Sequence, residues 1–322
     1  MFGMNENNGL PPDFLKRLTT ILSPPNLTNY LDSLSQEKFT AFRINTLKAR
    51  RLDVLNQLTQ DGLIVKPISW CSNGFYITSE ERQRLTASHL VEQGSIYIQN
   101  PASLFASLVL SPKSHEEILD LAAAPGGKAL HLAALMENKG RIAAVEAVKN
   151  RFFRLVTNIN RADAEIIKPY LKDGSQIGRL VPERFDRVLL DAPCSSEGRF
   201  DLKDPATYAY WSEKKVKEMS HKQKRLIYSA IQALKPQGIL VYCTCAFSVE
   251  ENESIIQYAL NKFAGKLTIL PIEVPFTNYQ PGLTSWGQFV FDANMQHAIR
   301  IVPDQLMNGF FICKLQKVNS TI

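Results

Sequence analysis

No stretch of this chain is apolar enough to cross a bilayer. Its longest apolar runs, such as Ala129–Met136 and Ile239–Cys243, fall far short of the roughly 20 residues that a spanning helix needs. Met1–Pro12 lacks a basic region leading into an apolar stretch, so it does not read as a secretion signal. Cysteine is scarce and poorly spaced for metal: Cys71, Cys194, Cys243, Cys245 and Cys313 contain no Cys-x-x-Cys pair and no histidine at ligand spacing. That argues against zinc. A bridge between Cys243 and Cys245 would fight the strand they sit on, so reduced thiols in the cytoplasm are expected. The chain has no low-complexity tract and no internal repeat. It also lacks the Gly-x-x-x-x-Gly-Lys-Ser/Thr of a P-loop.

What is present is the composition of a globular protein: 322 residues, 45% hydrophobic and 21% charged. The net charge of +6 and pI near 9.0 permit a polyanionic partner without requiring one. Basic residues gather in Lys48–Arg51, Lys214–Lys217 and Lys222–Arg225. Any one such cluster is more often a solvated helix face than a phosphate contact.

From Glu117 onward, short apolar strands alternate with amphipathic helices, the pattern of a parallel sheet covered on both faces. Strands are expected near 118–121, Arg141–Glu146, Glu165–Lys168, Arg187–Asp191 and Gly238–Cys243. Helices are expected after Gly127, over Lys149–Asn160 and over about Ser212–Leu234, the last ended by Pro236-Gln237-Gly238. Ala298–Val302 and Gly309–Leu315 read as a closing hairpin. Residues 1–110 do not continue this pattern. Phe42–Asn45, Leu63–Ile68 and Gly74–Thr78 look like strands around a helix at Leu52–Gln60, a small α+β module. The expected division is therefore 1–110 and 111–322.

Three segments carry chemistry. Ala122-Ala123-Ala124-Pro125-Gly126-Gly127-Lys128 is a Gly-rich strand-to-helix turn, where backbone N–H groups approach a ligand at the positive end of a helix. Glu146 ends the next strand, the place of the acid that binds ribose hydroxyls in nucleotide-binding sheets. Together they suggest an adenosine-containing cofactor, either S-adenosylmethionine (SAM) or a dinucleotide. The segment Asp191-Ala192-Pro193-Cys194-Ser195 then presents a carboxylate and a thiol at a strand end, and Thr244-Cys245 presents a second thiol at the end of the next. A hydride-transfer enzyme needs neither, whereas covalent catalysis needs a nucleophile of this kind.

Ala124–Lys128, Asp191–Ser195, Thr244-Cys245 and Glu250–Glu253 resemble the motifs of the Sun/Fmu (nucleolar-protein/Sun) family of RNA cytosine-5 methyltransferases. Arg43-Ile44-Asn45, Gln99–Ser103 and Pro303…Gly309-Phe310-Phe311 extend the resemblance from about residue 42 to the end. It implies an α/β class I SAM-dependent methyltransferase, Rossmann-like, with a parallel sheet closed by an antiparallel hairpin and a small N-terminal α+β RNA-binding domain. It implies Cys245 as nucleophile, Cys194 as the group assisting product release and Asp191 as the cytosine contact. SAM would be held by Ala122, Ala123, Ala124, Pro125, Gly126, Gly127, Lys128, Glu146, Arg151, Asp173 and Asp191. Asp163 rivals Asp173 for the adenine.

The implied partner is ribosomal RNA, with transfer RNA close behind, and the implied protein is a cytoplasmic monomer without metal or membrane attachment. A DNA cytosine-5 methyltransferase is the nearest alternative, but the Glu-Asn-Val of that family is absent and the second cysteine of the RNA family is present. A non-catalytic RNA-binding factor would be expected to lose Cys245 or Asp191, and both are retained.

Overall fold

The computed structural model describes residues 9–321. Met1–Asn8, within the segment read above as lacking a leader, lie outside the described residues.

Two sheets organise the chain. The smaller is antiparallel in the order β2-β3-β1-β4, from β1 (Thr40–Ile44), β2 (Lys66–Pro67), β3 (Gly74–Ile77) and β4 (Ile96–Ile98). Helix Arg51–Gln60 lays Val54 and Leu58 on it, closing a small apolar core with Phe42, Ile44, Phe75, Ile77 and Leu85. The strand expected over Leu63–Ile68 contracts to β2, and β4 was not foreseen.

The larger sheet comprises β5 (Glu117–Asp120), β6 (Arg141–Glu146), β7 (Ile167–Leu171), β8 (Phe185–Asp191), β9 (Leu234–Thr244), β10 (Leu267–Leu270), β11 (Tyr279–Pro281), β14 (Ile299–Ile301) and β15 (Phe310–Lys317). Between β11 and β14, the separate hairpin β12–β13 spans Ser285–Trp286 and Phe289–Val290. The large sheet runs β11-β14-β15-β9-β8-β5-β6-β7, with β10 on β15. Strands β7, β6, β5, β8 and β9 are parallel, while β15 pairs antiparallel with both β9 and β14. This is the expected parallel sheet closed by an antiparallel hairpin.

Strands covered on both faces are apolar throughout. Val188, Leu189 and Leu190 of β8, and Leu240 to Cys243 of β9, are fully buried. Helix Glu213–Ala233 starts where Ser212 Oγ accepts the Lys215 N–H at 3.1 Å, an N-cap. The turn expected at Pro236-Gln237-Gly238 is instead an irregularity inside β9: the helix runs straight into the strand, and Gln237 takes φ 65° to absorb the change.

Only the middle of the 1–110 segment forms the small sheet unit. Helices Pro12–Ile21 and Pro24–Ser33 send Phe14, Leu18, Ile21 and Tyr30 into the core of the larger sheet. Phe14 meets Phe200 edge-on at 4.8 Å, and Tyr30 meets Phe247 at 5.0 Å. Helix Pro101–Leu110, capped by Asn100, packs on the face of β8, β9 and β15. Apart from Ser103 and Ser107 its sequence is apolar, as expected of a helix buried on nearly every side.

Candidate active site

Strand order reverses at β5, with β6 on one side and β8 on the other. In open α/β sheets the crevice beyond the carboxyl ends of strands at such a point is the ligand site. The expected residues divide between its two flanks.

The β5–β6 flank carries the Gly-rich turn. Ala123 N–H is bonded to Val145 O at 2.9 Å, tying the turn to β6. Gly126 sits at φ 111°, a backbone conformation that favours glycine, and a Cβ there would lie a tight 3.0 Å from Leu155 Cδ1. Arg151 donates to Ala124 O at 2.6 Å and Asn158 to Pro125 O at 2.8 Å. Arg151 thus fixes the turn from the following helix.

Two acids on this flank keep free valences. Glu146 is buried: Oε1 accepts the Val148 N–H at 2.9 Å, while Oε2 accepts no hydrogen bond and has Arg151 Nη1 at 3.5 Å. Asp120 is 1% exposed, and neither carboxylate oxygen has a hydrogen bond of ordinary geometry. Burial pushes Asp120 up to about 7, with Lys128 opposing and Asp191 adding to the rise. Buried acceptors without donors are rare in native proteins. A ligand bearing ribose hydroxyls and an ammonium group, as SAM does, would satisfy them, so the residues present fit the expected cofactor.

Lys128, at the end of the turn, reaches across to the other flank. Its Nζ lies 2.6 Å from Asp191 Oδ2 and 5.3 Å from the centre of the Phe310 ring. Burial works against its charge, but Asp191 and Cys243 more than offset this and raise its pKa. The lysine therefore joins the two flanks. Asp173 follows β7 at the same sheet edge as Asp120 and Glu146, where it caps a short turn through Ser175 and faces Arg225 at 3.5 Å. Asp163 precedes β7, at the opposite edge, 3.2 Å from Lys48.

On the β8–β9 flank, Cys194 and Cys245 meet with their sulfurs 3.0 Å apart, both half-buried. Ser196 Oγ is 3.7 Å from Cys245 Sγ, and Cys243, fully buried, has its sulfur 3.7 Å from Asp191 Oδ1. The hydrogen bond from Cys194, helped by the Arg199 guanidinium against the cost of burial, draws the Cys245 thiol down to about 7. The same contact, with burial, pushes Cys194 up. One thiol is thereby made the better anion and the other the better proton holder.

These thiols ride on loops clamped from beneath. Glu197, fully buried, accepts from Phe247 N–H (2.6 Å), Ser248 N–H (2.7 Å), Ser248 Oγ (2.5 Å) and Trp211 Nε1 (2.8 Å). Glu251 accepts from Ser195 N–H at 3.0 Å, from Ser195 Oγ and from Gln223 at 2.8 Å. Burial and the nearby Glu197 push Glu251 up to about 8. Thr244 Oγ1 donates to Asn252 at 2.6 Å, and Asn252 returns a bond to Ala246 O at 2.8 Å. Gly198 N–H bonds Cys245 O at 2.8 Å, and a Cβ on Gly198 would stand 2.1 Å from Gly309 O. Glu197, Arg199 and the clamping role of Glu251 escaped the sequence reading. An acid among small and apolar residues was the available signal, though nothing local reports that it is buried.

The profile of the 16S rRNA methyltransferase RsmB/F family matches residues 107–316, and that of the N-terminal domain of 16S rRNA methyltransferase RsmF matches residues 10–101. Ribosomal RNA small subunit methyltransferase F of Vibrio parahaemolyticus is 35% identical over 98% of this chain and 65% of its own length. The protein of the same name from Vibrio vulnificus is 35% identical over 98% and 66%. The chain thus spans about two thirds of the length of these curated relatives. A solved methyltransferase homolog protein from Pyrococcus horikoshii is 31% identical, with TM-score 0.77 over 96% of this chain and all of that one. NSun6 from the same organism, solved with SFG, shares the fold at TM-score 0.83 over 97% of this chain and 100% of that one, with 22% identity.

Proposed function

The chain belongs to the 16S rRNA methyltransferase RsmB/F family, and from that premise we propose that it methylates carbon 5 of a cytosine in ribosomal RNA, using SAM and a covalent bond from Cys245. The observation that carries this reading is the convergence of Cys245, Cys194 and Asp191 beside the Gly-rich turn, with the two sulfurs at 3.0 Å.

Carbon 5 of cytosine is a weak nucleophile. The Cys245 thiolate adds to carbon 6, which makes carbon 5 enamine-like. Asp191, held by Lys128, bonds the ring N3 and exocyclic amine and stabilises the adduct. SAM, when bound, supplies the electrophilic methyl group. In the final stage a base takes the carbon 5 proton, the 5,6 double bond re-forms as the carbon 6–sulfur bond breaks, and Cys245 leaves as a thiolate, its release assisted by the Cys194 thiol beside it. Ala122 to Lys128, Glu146, Arg151 and Asp173 hold the cofactor, Asp173 at the adenine end because it shares the carboxyl edge of the sheet.

The base must leave any helical stack to reach a half-buried thiol. The small sheet module and helix Glu213–Ala233, with Lys214, Lys217, Lys222 and Arg225 exposed, supply the phosphate contacts. Two members of that basic stretch have other contacts as well: Lys224 lies over the Tyr258 ring and Arg225 reaches Ser175. That the similar Vibrio proteins are small-subunit ribosomal RNA methyltransferases favours this RNA over transfer RNA as substrate.

The test separates the thiols. With small-subunit RNA and SAM, Cys245→Ala abolishes methylation and any covalent protein–RNA species. Cys194→Ala allows addition and methyl transfer but slows elimination, so a retarded band accumulates on a denaturing gel. An adduct trapped by Cys245→Ala and not by Cys194→Ala would reverse the roles and overturn the proposal.

A further inference from the structure

Resting on that reading of Cys245, we propose that Ser196 is a positioning residue for the reaction, its hydroxyl the hydrogen-bond donor that holds the Cys245 sulfur as a thiolate before addition and again on release. Among the described residues, two side chains make a polar contact with that sulfur: Cys194 Sγ at 3.0 Å and Ser196 Oγ at 3.7 Å. Cys194 has its own task in release, and a thiol that has given up its proton no longer donates. A serine hydroxyl keeps its proton and rotates to whichever acceptor is charged. The other hydroxyls around the thiols are already committed: Ser195 Oγ donates to Glu251, Ser248 Oγ to Glu197 and Thr244 Oγ1 to Asn252. Ser196 Oγ has no hydrogen bond among the described residues other than the one shared with Cys245. Once Cys245 is ionised the direction of that bond is fixed, with oxygen donating and sulfur accepting.

The backbone of Ser196 singles it out a second time. It has φ 65° and ψ 21°, the left-handed region that residues other than glycine rarely adopt. Residues held in such conformations by their surroundings cluster at functional sites. Here the surroundings grip both neighbours. Ser195 N–H is bonded to Glu251 at 3.0 Å on one side, and buried Glu197 is fixed by Phe247, Ser248 and Trp211 on the other. Arg199 N–H closes the turn on Ser196 O at 2.9 Å, and Gly198 N–H bonds Cys245 O at 2.8 Å. The hydroxyl therefore leaves a turn that is itself bonded to the residue carrying the nucleophile. Glycine would meet the backbone requirement at lower cost, but it would bring no donor to the sulfur.

The groups that set the charge on Cys245 come from three directions. The Cys194 hydrogen bond favours the thiolate, burial opposes it, the exposed Arg199 favours it, Asp191 opposes it and the Ser196 hydroxyl favours it. Lys128 is engaged with Asp191, and Glu251 acts on Cys194. Removing the Ser196 hydroxyl takes away one of the two hydrogen bonds at the sulfur and leaves the rest of this balance in place. The loss falls on the fraction ionised near neutral pH and on the departing thiolate, because both carry the same negative charge.

The experiment needs no RNA. The pH dependence of Cys245 alkylation by iodoacetamide, followed by mass spectrometry of its peptide, is compared in wild type, Ser196→Gly and Ser196→Ala. Both variants lack the hydroxyl, but glycine relaxes the left-handed turn while alanine keeps its strain. The midpoint of wild type is expected near 7. Both variants should titrate higher by about half a pH unit or more, roughly a threefold change in the ionisation constant. The acid limb of single-turnover methylation should move in parallel. Midpoints that superpose on wild type would overturn the proposal, as would a shift in one variant only, which would trace to the backbone and not to the hydroxyl. The alkylation profile reports whether Ser196 acts on the thiol, and the adduct assay above reports whether Cys245 is the nucleophile, so the two failures are distinguishable.

Discussion

Both flanks of the crevice bury acids, but they treat them differently. On the β5–β6 flank, Asp120 and Glu146 keep carboxylate oxygens without hydrogen-bond donors. On the β8–β9 flank, the buried carboxylates Glu197 and Glu251 are saturated by backbone and side-chain donors. An unsatisfied buried acceptor costs free energy that a ligand can recover, whereas a satisfied one stiffens whatever donates to it. The first flank is therefore built to receive, and the second to hold two thiols still. Lys128 is the strut between them.

The sharpest way to break this contrast is at Glu197. Glu197→Ala strands the Phe247 and Ser248 amides and the Trp211 ring N–H inside the protein, at a cost of about 1–3 kcal/mol for each group left unpaired. A fall of several degrees in thermal midpoint and near-complete loss of methylation are expected. A variant of wild-type stability would show that the clamp is dispensable.

Glu146→Ala should have the opposite signature: SAM affinity falls more than tenfold, about 1.4 kcal/mol or more, while the thermal midpoint of the ligand-free protein barely moves. Calorimetry is the check, and unchanged affinity in a folded variant would remove Glu146 from the receiving flank.

The smallest effect is expected at Asp120. Its pKa of about 7 in the folded chain is above the ordinary value of 3.8. The folded state thus binds a proton the unfolded state has already released, which stabilises the fold below about pH 4 and stops doing so as pH rises through 7. The urea midpoint of the ligand-free protein should decline across that window, and Asp120→Asn should flatten the decline. Parallel pH profiles for the two proteins would mean that Asp120 titrates normally.

Much of the large sheet was legible because its signals are local. Arg141–Glu146 was read with the boundaries it has, and Ser212 as the start of the long helix follows from capping chemistry. Three features were not legible. The helices at Pro12–Ile21 and Pro24–Ser33 carry proline at their first turns, and their partners, Phe200 and Phe247, lie far along the chain. Strand β10 pairs with β15 across a long separation and has only four residues. The pairing of Lys128 with Asp191 of β8, at 2.6 Å, joins residues 63 positions apart.

The sequence alone determined the class of chemistry: a Gly-rich turn after a strand, an acid after the next, and Pro-Cys and Thr-Cys at two further strand ends. Each is a local pattern whose meaning is set by strand direction and residue type. Only the tertiary structure decided how those pieces are energised. It set the two sulfurs at 3.0 Å, paired Lys128 with Asp191, and put Asp173 at the carboxyl edge of the sheet and Asp163 at the opposite one. Charges and hydrogen bonds act over a few ångströms in space, and their strength depends on burial. Both quantities are created when distant strands and loops pack together, and neither is written at any one position of the chain.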